Sequence, residues 1–123
     1  MRFIKQISKE RSVFLLLCIA LISLAFGMRL NFIAMLNNNC KMPVINEPFT
    51  QEIVLKKNLT EYFLYNSSEQ VNYYYLSDII PLPFMEGYLS IGDILLYIAL
   101  DLFIIIQIAL IINFFRKRED NGS

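Results

Sequence analysis

Two long stretches of this chain are apolar on every side, and the positions between them alternate on shorter, mixed periods. Residues 13–28 (VFLLLCIALISLAFGM) contain no charged side chain, and residues 94–115 (ILLYIALDLFIIIQIALIINFF) contain only Asp101. A small soluble domain has no interior large enough to hide two such runs, and a run of about 20 apolar residues has the length of a bilayer-spanning helix. The first run extends through Arg29 and Asn31 to Leu36, which predicts a helix over 13–36 with Arg29 near enough to its outer end to snorkel. The second covers 91–115, about 37 Å of helix at about 1.5 Å per residue, and so spans a hydrocarbon core of about 30 Å with some tilt. Ser90 followed three residues later by Asp93 is a capping-box pattern at its start. Phe114 and Phe115, followed by Arg116-Lys117-Arg118, are the aromatic and basic groups that helices place at headgroup depth.

A cleavable secretory signal is the rival reading of the first run. Its basic start, short apolar core and Ala25-Phe26-Gly27 triplet fit a signal with Gly27 as the last residue removed. The apolar run continues past that point through Leu30, Phe32, Ile33, Ala34, Met35 and Leu36, which favours an uncleaved helix.

Residues 37–90 are expected to be irregular and partly helical. Asn37-Asn38-Asn39 supply the conformations that end a helix. From Pro48 to Phe63 the apolar positions recur at near-helical spacing, predicting one or two short amphipathic helices. The stretch QVNYYYLSDII reads equally as a short strand or an interfacial helix. Pro81-Leu82-Pro83-Phe84 fits neither a helix nor a central strand, because each proline lacks an N–H and restricts its predecessor. All seven tyrosines lie between Tyr62 and Tyr97, and Tyr73-Tyr74-Tyr75 reads as an interfacial anchor, with an aromatic ligand shelf as the sharper alternative.

Charge adds an orientation. Residues 1–12 carry four bases and one acid, residues 37–90 three bases and six acids, and residues 116–123 three bases and two acids. The positive-inside tendency then puts both termini in the cytoplasm and 37–90 outside, as in a multi-pass plasma-membrane protein. The net charge of zero among 123 residues conceals this polarity and gives no basic face for nucleic acid. The absence of histidine removes histidine-based nucleophilic triads, histidine-ligated metals and imidazole acid-base steps.

The remaining candidate chemistry is sparse. Asp101 lies about 15 Å into its helix, where an ionised carboxylate costs at least about 2.5–3.5 kcal/mol, so it is expected to be neutral or paired against another helix, with a proton or cation path as the alternative. Gln107 lies on a different face, and polar groups on two faces of a span suggest homo-oligomerisation or another membrane protein as partner, besides the lipid bilayer itself. Asp78, Glu86 and Asp93 form too weak a pattern for a catalytic pair or a divalent-cation site. Cys18 and Cys40 are too far apart along one span to bridge, leaving Cys40 as a free thiol or an intermolecular link.

Three segments in order, Asn38-Asn39-Cys40-Lys41-Met42-Pro43-Val44, Leu76-Ser77-Asp78-Ile79-Ile80-Pro81-Leu82-Pro83 and Ser90-Ile91-Gly92-Asp93-Ile94-Leu95, resemble an uncharacterised family of small multi-span membrane proteins of Gram-positive bacteria. The family pattern carries glycines where this chain has Asn39 and Cys40, and arginine where it has Lys41. The resemblance implies a bacterial plasma-membrane location and no activity. It singles out Lys41, Met42, Pro43, Asp78, Pro81, Pro83, Ser90, Gly92 and Asp93 as a structural cluster at the outer interface, in which Lys41 or Arg29 is expected to pair with Asp78 or Asp93.

The sequence therefore reads as an all-α membrane protein: a basic N-terminus (1–12), transmembrane helix 1 (13–36), an extracytoplasmic segment (37–90), transmembrane helix 2 (91–115) and a cytoplasmic tail (116–123). No enzymatic site and no cofactor are expected. The function class this implies is a subunit, anchor or accessory factor of a membrane complex, with an ion- or proton-linked transport component built on Asp101 as the alternative.

Overall fold

The computed structural model describes residues 2–82 and 87–121, with side chains described over 11–82 and 87–116. Pro83, Phe84 and Glu86, and the side chains of Arg2, Lys5, Lys9, Lys117 and Arg118, lie outside the described residues. Helix α1 covers Arg2–Leu36 and helix α3 covers Ile91–Asn121. Between them run strand β1 (Met42–Ile45), helix α2 (Pro48–Lys56), strand β2 (Tyr62–Tyr65), strand β3 (Ile80–Pro81) and strand β4 (Tyr88–Leu89). The chain divides into two compact units, Met1–Leu24 with Tyr97–Ser123, and Ala25–Leu96.

The described residues of the first unit are all helical. Among its described side chains, Phe14, Leu15, Leu21 and Ile22 are exposed on α1 and Ile104, Ile105, Ile108 and Leu110 on α3, while Ala20, Ala99 and Ile106 are buried. The segments Arg11–Leu36 and Ile91–Arg116 are each long and apolar enough to cross a membrane, and only 11% of the most apolar stretch of either is buried within the chain.

The second unit is where the all-α expectation needs correction. Strands β1 and β2 pair in parallel, with Met42 opposite Tyr62 and Ile45 opposite Tyr65. Parallel strands need a crossover of a dozen or more residues, and α2 with its flanking turns supplies it, making a miniature β-α-β unit. The helix from Pro48 ends at Lys56, and Tyr62 and Phe63, expected to prolong the helical spacing, are extended in β2 instead. Asn58, with φ of 50°, turns the chain between the two states. Helix α2 enters through Glu47, whose N–H donates to Thr50 Oγ1 at 3.0 Å, and Pro48 sits in the first turn, where a missing N–H costs nothing.

Strand β1 has a neighbour on each side. The N–H groups of Met42 and Asn46 donate to Glu61 and Tyr65 in and beside β2, at 2.7 and 2.8 Å, whereas the Pro43 carbonyl accepts from Asp78 N–H at 3.0 Å. Successive residues of a strand direct their peptide groups to opposite sides, so the N–H that Pro43 lacks belongs to the sparsely bonded Asp78 side, and the β1–β2 ladder is uninterrupted. The tyrosine stretch is neither strand nor long helix: Tyr74–Leu76 makes a single 3-10 turn entered through Tyr73 in a left-handed conformation (φ 54°). Strands β3 and β4 then pair antiparallel over two residues, with Pro81 on this short ribbon. Ala34, Met42 and Leu76 form the buried core of the unit, with Leu30, Met35 and Tyr62 packed against it.

Candidate functional site

The sequence-derived cluster forms two separate arrangements in the second unit. The first joins the end of α1 to the start of α3. Ser90 N–H donates to Asp93 Oδ2 at 3.1 Å and Asp93 N–H donates to Ser90 Oγ at 3.0 Å, a reciprocal cap that satisfies two donors at the helix start. Asn31 of α1 completes it: its Nδ2 donates to Asp93 Oδ1 at 2.7 Å, and its Oδ1 accepts from the Ser90 hydroxyl at 2.8 Å. The close approach requires glycine on both helices. A Cβ on Gly92 would stand 1.8 Å from Asn31 Oδ1, and one on Gly27 would stand 2.7 Å from the Gly92 carbonyl oxygen.

The expected ion pair of Arg29 or Lys41 with Asp78 or Asp93 is not formed. Among the described residues the ion pair is Lys56 with Glu52, 3.4 Å apart and exposed. Arg29 and Lys41 are themselves exposed, and the partner of Asp93 is the neutral amide of Asn31, which can donate to the carboxylate without bringing a second charge out of water. Asn31 carried no weight in the sequence reading beyond lengthening the first span. Its position four residues after Gly27, on one helix face, is the signal that would have found it.

The second arrangement is a cleft of about 180 Å³ beside the β-α-β unit. Val44, Phe49, Ile53 and Leu59 line it with Tyr62 and Asp78. Asp78 is only 6% exposed, and its Oδ1 is buried without a hydrogen-bond partner. Burial, with a smaller contribution from the Asp93 charge, pushes the Asp78 carboxyl up to about 7. The Tyr62 hydroxyl is raised by burial and then by the charges of Asp78, Asp93 and Glu61. At the rim, the Tyr88 hydroxyl donates to Glu47, and that bond is the main cause of its raised pKa. Below, Ser77 is fully buried, reaching the Tyr74 carbonyl at 2.5 Å and the Tyr65 hydroxyl at 3.4 Å.

The other singled-out residues are scattered. Pro43 is fully buried in β1, Pro81 is exposed at the edge of β3, and Asp101 is exposed on α3 with no hydrogen bond or ion pair to another described residue. The end of α1 is tied down by amides: Asn38 Nδ2 donates to the Ala34 and Asn72 carbonyls at 2.7 and 2.8 Å, and Asn38 Oδ1 accepts from Asn72 N–H at 2.9 Å. Asn39 and Cys40 follow with φ of 57° and 58°. Among the described residues no three cysteine, aspartate or glutamate side chains gather as metal ligands would.

The family of unknown function DUF5317 matches residues 12–114, and the chain belongs to it. No curated protein and no solved structure matches the chain.

Proposed function

We propose that this member of the DUF5317 family is a small, non-enzymatic integral protein of the plasma membrane, a subunit or anchor of a membrane complex. Its two spans are taken as Arg11–Leu36 and Ile91–Arg116, its termini as cytoplasmic, and 37–90 as a small folded platform on the outer side. The observation that carries this reading is the exposure of apolar side chains all round both long helices, which no soluble environment tolerates. The charge asymmetry supports the orientation. The exposed rings of Tyr73, Tyr74 and Tyr75 suit the outer headgroup region, where hydroxyls stay wet and rings meet acyl chains. A second reading, an ion- or proton-linked transport component, draws on the exposure of Asp101 within an apolar helix.

The test uses the two native thiols, since Cys40 is exposed and Cys18 lies within the first apolar segment. In cells carrying the Cys18→Ser variant, a membrane-impermeant maleimide is expected to label Cys40 from outside. A cysteine introduced by Asp120→Cys into a chain lacking both native thiols is expected to react only after permeabilisation. The protein should also resist alkaline carbonate extraction. Release into the soluble fraction, or labelling of position 120 from outside, overturns the reading, and an intact mass beginning at Met28 replaces it with a cleaved signal.

A further inference from the structure

The buried, unpartnered carboxyl of Asp78 is hard to explain as structural stabilisation. A buried polar atom without a partner costs roughly 1–3 kcal/mol, and nearly all such atoms in native proteins are satisfied. The backbone of Asp78 already has its bond to Pro43, so the side chain is not needed to hold the segment in place. Asp78 also forms part of the wall of a cleft that is otherwise mostly apolar.

The size and lining of that cleft restrict what fits. Its volume of about 180 Å³ is close to the roughly 150 Å³ of an engineered apolar cavity that takes up benzene. Val44, Phe49, Ile53 and Leu59 offer a surface for a ring or a branched alkyl group, and Asp78 places a carboxyl group in the same wall. A metal ion is a poor match, because among the described lining residues only one carries a carboxylate where hard cations take six or more oxygen ligands. An anion would meet Asp78, Asp93 and Glu61. We propose that this cleft is a binding site for a small primary amine carrying a compact apolar body, with the ammonium group donating to Asp78 and the body lying against Val44, Ile53 and Leu59. The proposal is independent of which side of a membrane the cleft faces.

Among the described residues the titratable groups around Asp78 and its cleft are Asp93 from α3, Tyr62 and Tyr65 from β2, and Tyr88 from β4 with Glu47 bonded to it, all acids, so nothing among them competes with an ammonium ion for the carboxylate. An amine that remains protonated at neutral pH pairs with the ionised form of Asp78. Its affinity therefore rises as the pH is raised through about 7.

The test is methyl-detected NMR on the full chain in lipid nanodiscs, titrated with benzylamine at pH 7.5. Saturable shifts of the Val44, Ile53 and Leu59 methyl groups are expected, with an affinity at least fivefold higher for benzylamine than for benzyl alcohol. Asp78→Asn is expected to lose at least tenfold in benzylamine affinity while its spectrum stays that of a folded protein. Ile53→Phe, which fills the cleft and keeps the carboxyl, is expected to abolish the shifts. Absence of saturable shifts in the wild type, equal affinity for the amine and the alcohol, or unchanged affinity in Asp78→Asn or Ile53→Phe overturns the proposal. Should Asp78→Asn unfold, the amine-to-alcohol comparison and Ile53→Phe decide it.

Discussion

Asp78 makes the stability of the folded unit depend on pH in the direction opposite to a salt-bridged acid. Its carboxyl is pushed up to about 7 in the folded chain by burial, against 3.8 for an unburied aspartate. Between those values the folded chain holds a proton that the unfolded chain has released. The Asp78 contribution to stability is therefore full below about pH 4, falls as pH rises towards 7 and is lost above it, a span of up to about 4 kcal/mol. Thermal unfolding of the purified protein is expected to give a lower Tm at pH 8 than at pH 5. Asp78→Asn, which cannot ionise, is expected to flatten that difference and to raise the Tm at pH 8 by several degrees; an unchanged slope would show that another group controls it. Cys40 is a second residue whose conformation has a cost. It holds φ of 58° directly after Asn39 at 57°, and a left-handed conformation costs a residue with a Cβ roughly 1–2 kcal/mol. A glycine at either position would adopt that geometry without the cost. Cys40→Gly is expected to stabilise the protein by about 1 kcal/mol in denaturant titration.

At the scale of elements, what could be read from sequence depended on whether the determinant was local. The end of the first helix at Leu36 and the start of the last at Ile91 were legible because asparagines and a Ser-x-x-Asp cap announce them chemically. The β1–β2 pairing was not, since Met42–Ile45 and Tyr62–Tyr65 are four residues each and their partnership depends on a contact twenty positions away. Tyr62 and Phe63 also fall in phase with the preceding helical spacing, which hides the switch to extended chain. The candidate site was legible in the same uneven way: Ser90, Gly92 and Asp93 stand in one motif, while Asn31 and Asp78 take their roles from tertiary packing. Gly92→Ala tests the contact between the helix ends. The new methyl group would overlap the Asn31 side chain and press on the Gly27 carbonyl, and such overpacking costs about 1–3 kcal/mol. The expected result is a lower unfolding midpoint, with partial recovery when Asn31→Ala makes room; no loss in Gly92→Ala would mean that the helix ends do not meet in solution.

For the whole molecule, the surroundings of Asp101 separate the assembly reading from the transport reading. Its carboxyl is exposed on a helix whose neighbouring side chains Ile98, Leu100, Ile104 and Ile105 are also exposed. In hydrocarbon an unpaired carboxylate at that depth is costly enough to favour a partner. The two environments predict opposite responses to Asp101→Leu. A residue facing lipid gains from the change, so the protein becomes more stable and its assembly state is unaltered. A residue that hydrogen-bonds across a helix interface loses its partner, and the assembly weakens by about 1–2 kcal/mol per contact. The reading of the chain as a subunit predicts the second outcome: light scattering in mild detergent is expected to show assemblies of the wild type that shift towards the monomer in Asp101→Leu and persist in Asp101→Asn, which keeps the hydrogen-bonding group and removes the charge. Asp101→Asn also separates assembly from transport, because a proton or cation path requires the ionisable group and an interhelical hydrogen bond does not. Retained assembly with lost ion flux of Asp101→Asn in reconstituted vesicles would favour the transport reading, whereas an unchanged flux leaves Asp101 as an assembly contact.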